Sequence, residues 1–147
     1  MTFKDLHLIP SILKALEDEN YTAPTDIQAK SIPLILDRND VLGSAQTGTG
    51  KTAAFAIPII QHLAKEKEQQ QSSHKPKITT LVVTPTRELA IQIDESFSTY
   101  GKYTDIKNTV IFGGVKQGRQ VKRIERGVDV LIATPGRLLD LMNQRLV

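Results

Sequence analysis

The chain has 147 residues, 39% of them hydrophobic and 24% charged, which suits one compact domain with a substantial core. It contains no cysteine, which excludes a disulfide framework and a thiolate metal site and fits a reducing, cytoplasmic setting. No apolar run approaches the roughly 18 residues of a membrane span, and the N-terminus lacks the basic start and small-residue cleavage site of a secretory leader, so no membrane role is expected. The net charge of +3 is uneven, with −3 over residues 1–50, +1 over 51–100 and +5 over 101–147. A basic final third points to a polyanion partner, with a merely solvated surface as the bland alternative.

In chain order, Pro10–Leu16 and Thr25–Leu36 read as helices, the second with Thr25 or Asp26 as N-cap. Four short apolar runs read as strands: Asp40–Ser44, Thr79–Thr84, Thr109–Phe112 and Val128–Ala133. Their near-continuous Val, Ile and Leu content suits a parallel sheet covered on both faces. Helical patterns lie between them, and Leu89, Ile93 and Phe97 share one helix face. Lys65–Lys77 is polar throughout and is expected to be an exposed loop. Strand–helix–strand repetition predicts an α/β fold, a doubly wound parallel sheet flanked by helices.

The stretch Ala45-Gln46-Thr47-Gly48-Thr49-Gly50-Lys51-Thr52 follows a strand candidate and opens a helix. It fits the phosphate-loop pattern, with Ala45 in the place of the first glycine. Gly48 and Gly50 let successive N–H groups turn inward toward phosphate oxygens, and the helix start adds its dipole. Lys51 supplies a mobile charge to the β and γ phosphates, and the Thr52 hydroxyl can ligate Mg²⁺. The competing explanation is a glycine-rich turn with no ligand.

Further motifs follow in a set order. AQTGTGKT at Ala45–Thr52, PTRELA at Pro85–Ala90, the pair Gly113-Gly114 and TPGR at Thr134–Arg137 resemble the DEAD-box RNA helicases. Upstream, Phe3 and NYTAPTDIQ at Asn20–Gln28 are similar to that family's Q motif, and GVDVLIATPGRLLDL looks most like its bacterial RhlE-type branch. The resemblance implies a RecA-like domain that takes ATP or ADP with Mg²⁺. It also implies RNA as partner, held by its backbone with little sequence preference at Pro85, Thr86, Arg87, Gly113, Gly114, Thr134, Pro135, Gly136 and Arg137. Gln28 has the right chemistry for the implied adenine contact, since an amide donates to N7 and accepts from the N6 amino group. Tyr21 offers a ring for stacking and Phe3 a buttress, plain core packing being the alternative for both. Residues 1–36 are expected as a helical segment with the Q motif and 37–147 as a partial RecA-like region, in one structural domain.

Three departures from the family pattern stand out. Asn20 replaces a common glycine, and Asn tolerates positive φ. Asp26 replaces a usual proline and can itself cap a helix. The third is a missing acid: P-loop hydrolysis uses a carboxylate at a later strand end to hold Mg²⁺, yet Thr84, Gly113 and Thr134 follow the strand candidates here. Asp37 and Asp140 sit in helical patterns. The Asp-Glu-Ala-Asp motif, the Ser-Ala-Thr motif and the second RecA-like domain with its arginine finger are expected elsewhere in a longer parent. The chain alone is therefore expected to bind nucleotide without turnover, with self-association through an uncovered sheet edge. A small-molecule kinase would need an acceptor site and an acidic metal ligand. A non-enzymatic RNA-binding module with a vestigial loop is the remaining alternative.

Overall fold

The computed structural model describes residues 1–46, 48, 50–70 and 75–147, in two compact units: Met1–Gln71 with Thr99–Asp105, and Ser72–Ser98 with Ile106–Val147. The first unit is helical. A 3₁₀ turn at Phe3–Leu6 precedes α1 (Pro10–Asp18), α2 (Asp26–Leu36) and α3 (Lys51–Gln69). Proline at the first position of α1 suits a helix start, where its missing N–H has no partner to lose. Phe3, Leu6, Ile12, Leu16, Ile32, Ile57 and Ile60 are buried. Buried Gln61 ties α3 to the start of α1: its Oε1 accepts from Ile9 N–H (2.8 Å) and its Nε2 donates to His7 O (3.1 Å). Thr25 is the N-cap of α2, which leaves Asp26 in the first turn, where the helix dipole favours a negative charge. Asn20 sits at φ 60°, the left-handed conformation expected of it in place of glycine.

The second unit is α/β. Strands β1 (Thr80–Val83), β2 (Asn108–Ile111) and β3 (Val130–Ala133) form a parallel sheet in the order β1-β3-β2, with α4 (Arg87–Tyr100), α5 (Gly118–Glu125) and α6 (Pro135–Asn143) following them in turn. Central β3 is buried along its whole length, which accounts for its unbroken apolar run. Edge strand β1 leaves Leu81 and Val83 half exposed. Ile111, Leu131, Ala133 and Leu141 form a buried cluster joined by Val121, Ile124, Leu138 and Leu146, so α5 and α6 cover one face of the sheet.

Two expectations fail. Asp40–Ser44 forms no strand among the described residues, and Leu42 is fully exposed at 101%. An apolar run becomes a strand only when another strand takes up its N–H and C=O groups, and none is paired to this one. The loop expected at Lys65–Lys77 starts later, because α3 continues through Gln69. Lys, Glu and Gln are all good helix formers, so polarity there removes burial without removing helicity. Lys67 Nζ also donates to Asp105 O at 2.9 Å. Residues 71–74 of that stretch lie outside the described residues. No helix among the described residues is long and apolar enough to cross a membrane.

Candidate functional site

In the first unit the turn carrying Gly48 and Gly50 is braced by Gln28. Gly48 and Gly50 have φ of 85° and 83°, and Gly50 is the N-cap of α3, so Lys51 and Thr52 are that helix's first two residues. Lys51 is exposed and Thr52 half-buried. Ala45 is half-buried and Gln46 exposed; Thr47 and Thr49 lie outside the described residues. Gln28, on α2, is buried and its amide is engaged at both ends: Oε1 accepts from Thr25 N–H (3.0 Å) and Nε2 donates to Gly50 O (3.1 Å). An amide has two N–H donors and two lone pairs, so one of each stays open, the complement of adenine N6–H and N7. A Cβ added at Gly50 would collide with the Gln28 amide nitrogen and lie 3.3 Å from Thr25 Oγ1. Glycine is required there by both its φ and its contact.

Tyr21 is 49% exposed, whereas Phe3 is 4% exposed and belongs to the core. Phe3 N–H bonds Thr22 O (3.1 Å), so it supports the Q segment from beneath. Beside Tyr21, burial pushes the Tyr100 hydroxyl up to about 12, with the neighbouring Tyr21 and Glu19 adding to it.

In the second unit the strand register brings three segments to one edge. Val83 and Ile111 both lie level with Ala133. The ladder runs one step further, through Thr84 N–H to Ala133 O (3.0 Å) and Thr134 N–H to Ile111 O (3.1 Å). Pro85-Thr86-Arg87, Gly113-Gly114 and Thr134-Pro135-Gly136-Arg137 therefore leave the same C-terminal strand edge, where ligands of open α/β sheets bind. Thr86 Oγ1 accepts from Leu89 N–H (3.2 Å) and fixes the start of α4; Thr134 is the N-cap of α6. Pro85, Thr86, Arg87, Gly113, Gly114, Pro135 and Gly136 are exposed.

The two arginines differ. Among the described residues Arg87 forms no ion pair; its guanidinium lies 4.7 Å over the Phe112 ring. Stacking uses the face of the guanidinium and leaves its in-plane N–H groups available. Arg137 has a side chain only 11% exposed: Nη1 donates to Gln120 Oε1 (2.9 Å), Nη2 to Val115 O (2.7 Å), and Nε lies 3.7 Å from Asp140 Oδ2. Buried Gln120 in turn donates from Nε2 to Phe112 O (3.1 Å). Gln120 and Phe112 thus join the three segments, and no local motif singles them out. The one available signal was a glutamine set beside Val121 and Ile124, the residues with which α5 packs on the sheet.

A family model described as DEAD/DEAH box helicase matches residues 25–147. The chain belongs to that family. It is 46% identical over 146 residues to the DEAD-box ATP-dependent RNA helicase RhpA of Helicobacter pylori, covering 99% of this chain and 28% of RhpA. It is 41% identical to the DEAD-box ATP-dependent RNA helicase CshA of Bacillus subtilis, covering all of this chain and 28% of CshA. A crystal structure of a DEAD box protein from Methanococcus jannaschii superimposes with a TM-score of 0.85 at 36% identity, over 100% of this chain and 38% of that one. A hypothetical ATP-dependent RNA helicase from Sulfolobus tokodaii gives 0.79 at 37% identity, over 93% of this chain and 37% of that one. The parallel sheet flanked by helices is thus the α/β arrangement of DEAD-box domains, and this chain spans less than a third of the curated relatives' length.

Proposed function

We propose that this chain is the nucleotide-binding and RNA-binding part of an ATP-dependent RNA helicase. The observation that carries the reading is the Gln28 amide, which holds Gly50 O while keeping one donor and one acceptor open. Base identity and phosphate turn then meet on one side chain. Two positive-φ glycines and the start of α3 fit a phosphate chain, and the open space around Gly48 agrees with that use. Lys51 binds the β and γ phosphates, Thr52 offers its hydroxyl to a nucleotide-bound Mg²⁺, and Tyr21 stacks on the base. Bound ATP supplies the phosphoanhydride whose hydrolysis powers strand separation in the parent protein.

In the second unit, Arg87 and the N-termini of α4 and α6 take RNA phosphates, with the exposed Pro85-Thr86, Gly113-Gly114 and Pro135-Gly136 allowing close backbone approach. Arg137 serves chiefly as a brace that holds the Gly113-Gly114 turn through Val115 and Gln120. Contacts of this kind carry little base information, which supports weak sequence preference. Among the described residues no group of three or more His, Asp or Glu side chains is placed to hold a metal. Nucleotide binding without turnover is part of the proposal, since Thr84, Gly113 and Thr134, not an acid, follow the strand candidates.

Calorimetric titration with Mg-ADP and Mg-GDP tests the reading. Binding of ADP but not GDP, lost in Lys51→Ala, is the expected result. Binding of both nucleotides equally removes Gln28 as base selector. Binding of neither leaves an RNA-binding module with a vestigial turn.

A further inference from the structure

Helix α5 carries a charge pattern that its own stability does not explain. Between Lys107 and Arg126 the chain has six basic residues and one acid, Glu125. Arg119, Lys122 and Arg126 recur at helical spacing and fall within about 60° of arc at 100° per residue. Val121 and Ile124, on the opposite side, pack into the core cluster with Ile111 and Leu131. Lys116, Arg119, Lys122 and Arg126 are exposed, and among the described residues none of them has an ion-pair or hydrogen-bond partner through its side chain. Arg123 is different: it is half-buried, donates from Nη1 to Gly127 O (3.4 Å), and acts electrostatically on Asp94.

Two further observations mark the stripe as a surface for an anion. The first turn of α5 holds no acid and does hold Arg119, against the preference of a helix N-terminus for negative charge. At the other end Lys75 Nζ donates to Glu125 O (2.7 Å), which adds a cation from a distant part of the chain beside Arg126. The row starts at Lys116, two residues after the Gly113-Gly114 turn, and continues along the flank of the sheet. Eight helical residues rise about 12 Å, roughly the length of three to four stacked nucleotides at 3.4 Å each.

We propose that Lys116, Arg119, Lys122, Arg126 and Lys75 form an extension of the RNA path, binding phosphates of a strand that continues past the Gly113-Gly114 turn. The inference rests on the RNA reading of that turn. The partner is RNA because the cations are spaced along a line at nucleotide scale and contiguous with the backbone-binding edge.

The test measures binding of fluorescein-labelled oligouridylates of two lengths, six and twenty nucleotides, to the full chain across a salt series. Charge reversal in Arg119→Glu/Lys122→Glu/Arg126→Glu is expected to weaken the 20-mer at least about tenfold and to reduce its salt slope by about 2, at roughly 0.7 per lost phosphate contact on a single strand. The 6-mer is expected to bind as before. The neutral variant Arg119→Gln/Lys122→Gln/Arg126→Gln, with unchanged melting temperature, is expected to show the same selectivity for length in weaker form. Wild-type affinity for both lengths in the reversed variant overturns the extension, as does an equal loss on both. Displacement of the 20-mer by polyglutamate at lower concentration than by unlabelled RNA also overturns it, in favour of an acidic protein. Arg87→Ala separates this inference from the one beneath it. Loss of 6-mer binding there supports the edge reading whatever the stripe does, and unchanged 6-mer binding refutes the edge reading while leaving the length effect to judge the stripe.

Discussion

The turn at Gly48–Gly50 and the turn at Gly113-Gly114 both use a glycine in the left-handed region, with φ of 85° and 83° in the first and 84° at Gly114. They are held in different ways. At the first, Gln28 donates to Gly50 O, and Gly50 opens directly into the N-terminus of α3. The second is fixed at several points before any ligand arrives. Gln120 holds Phe112 O, Arg137 holds Val115 O, and Arg87 stacks on the Phe112 ring. Under the proposed function the first turn takes a small charged ligand and the second lies beneath a polymer. The brace described at the first is the Gln28 amide, and at the second it is a network of Gln120, Arg137 and Arg87.

The sharpest way to break this contrast is Gly50→Ala. Left-handed backbone costs a non-glycine residue about 1–2 kcal/mol, and the new Cβ collides with Gln28. ADP binding is expected to fall below detection in calorimetry while RNA binding persists; retained ADP affinity would show that the turn is not braced by Gln28. Next in size is Gln120→Met, which strips Phe112 O and Arg137 Nη1 of the partner they share. Leaving buried polar groups unpaired costs about 1–3 kcal/mol, so the melting temperature drops and RNA binding weakens, with ADP affinity unchanged. Gln120→Glu restores the acceptor for Arg137 but not the donor for Phe112 O, and an intermediate RNA affinity is expected from it.

A smaller effect concerns Tyr100, beside Tyr21 in the first unit. Its hydroxyl has an ordinary value of 10.0 and is raised in the fold to about 12, first by burial. The folded state then holds a proton that the unfolded state releases, so stability declines as pH rises from 10 toward 12. Tyr100→Phe is expected to flatten denaturant midpoints over that alkaline range and to leave those at neutral pH nearly the same. Smallest is Gly113→Ala. No atom lies within 4 Å of a Cβ placed there, so stability is expected to stay within about 0.5 kcal/mol. Any loss of RNA affinity in that variant reports a close approach of the polymer backbone.

Much of this was legible beforehand. Helix α2 is capped at Thr25 and ends at Leu36, and a capping residue and an apolar period announce it locally. Three of the four expected strands fall within two residues of their observed ends, and Pro85–Arg87, Gly113-Gly114 and Thr134–Arg137 each follow one of them. The stretch Asp40–Ser44 was read as a strand on Val41 and Leu42 and formed none. The polar end of α3 was read as loop because it has no side chain to bury, although its backbone bonds close within the helix regardless. Arg137 was read as a charged fork toward RNA, and its position shows most of that fork turned inward.

By itself the sequence determined whatever closes over a few residues: the helix starts at Pro10, Thr25 and Pro135, the left-handed Asn20, the glycines of the phosphate turn, and the order of motifs that marks the family. Their hydrogen bonds and steric limits are local, so residue type is enough to decide them. Only the tertiary structure decided which apolar runs pair, and that Gln28 grips a carbonyl 22 positions away. It also decided that Gln120 links Phe112 to Arg137. A ladder or a buried amide is satisfied by a partner brought from far along the chain, and no window of neighbouring residues contains that partner.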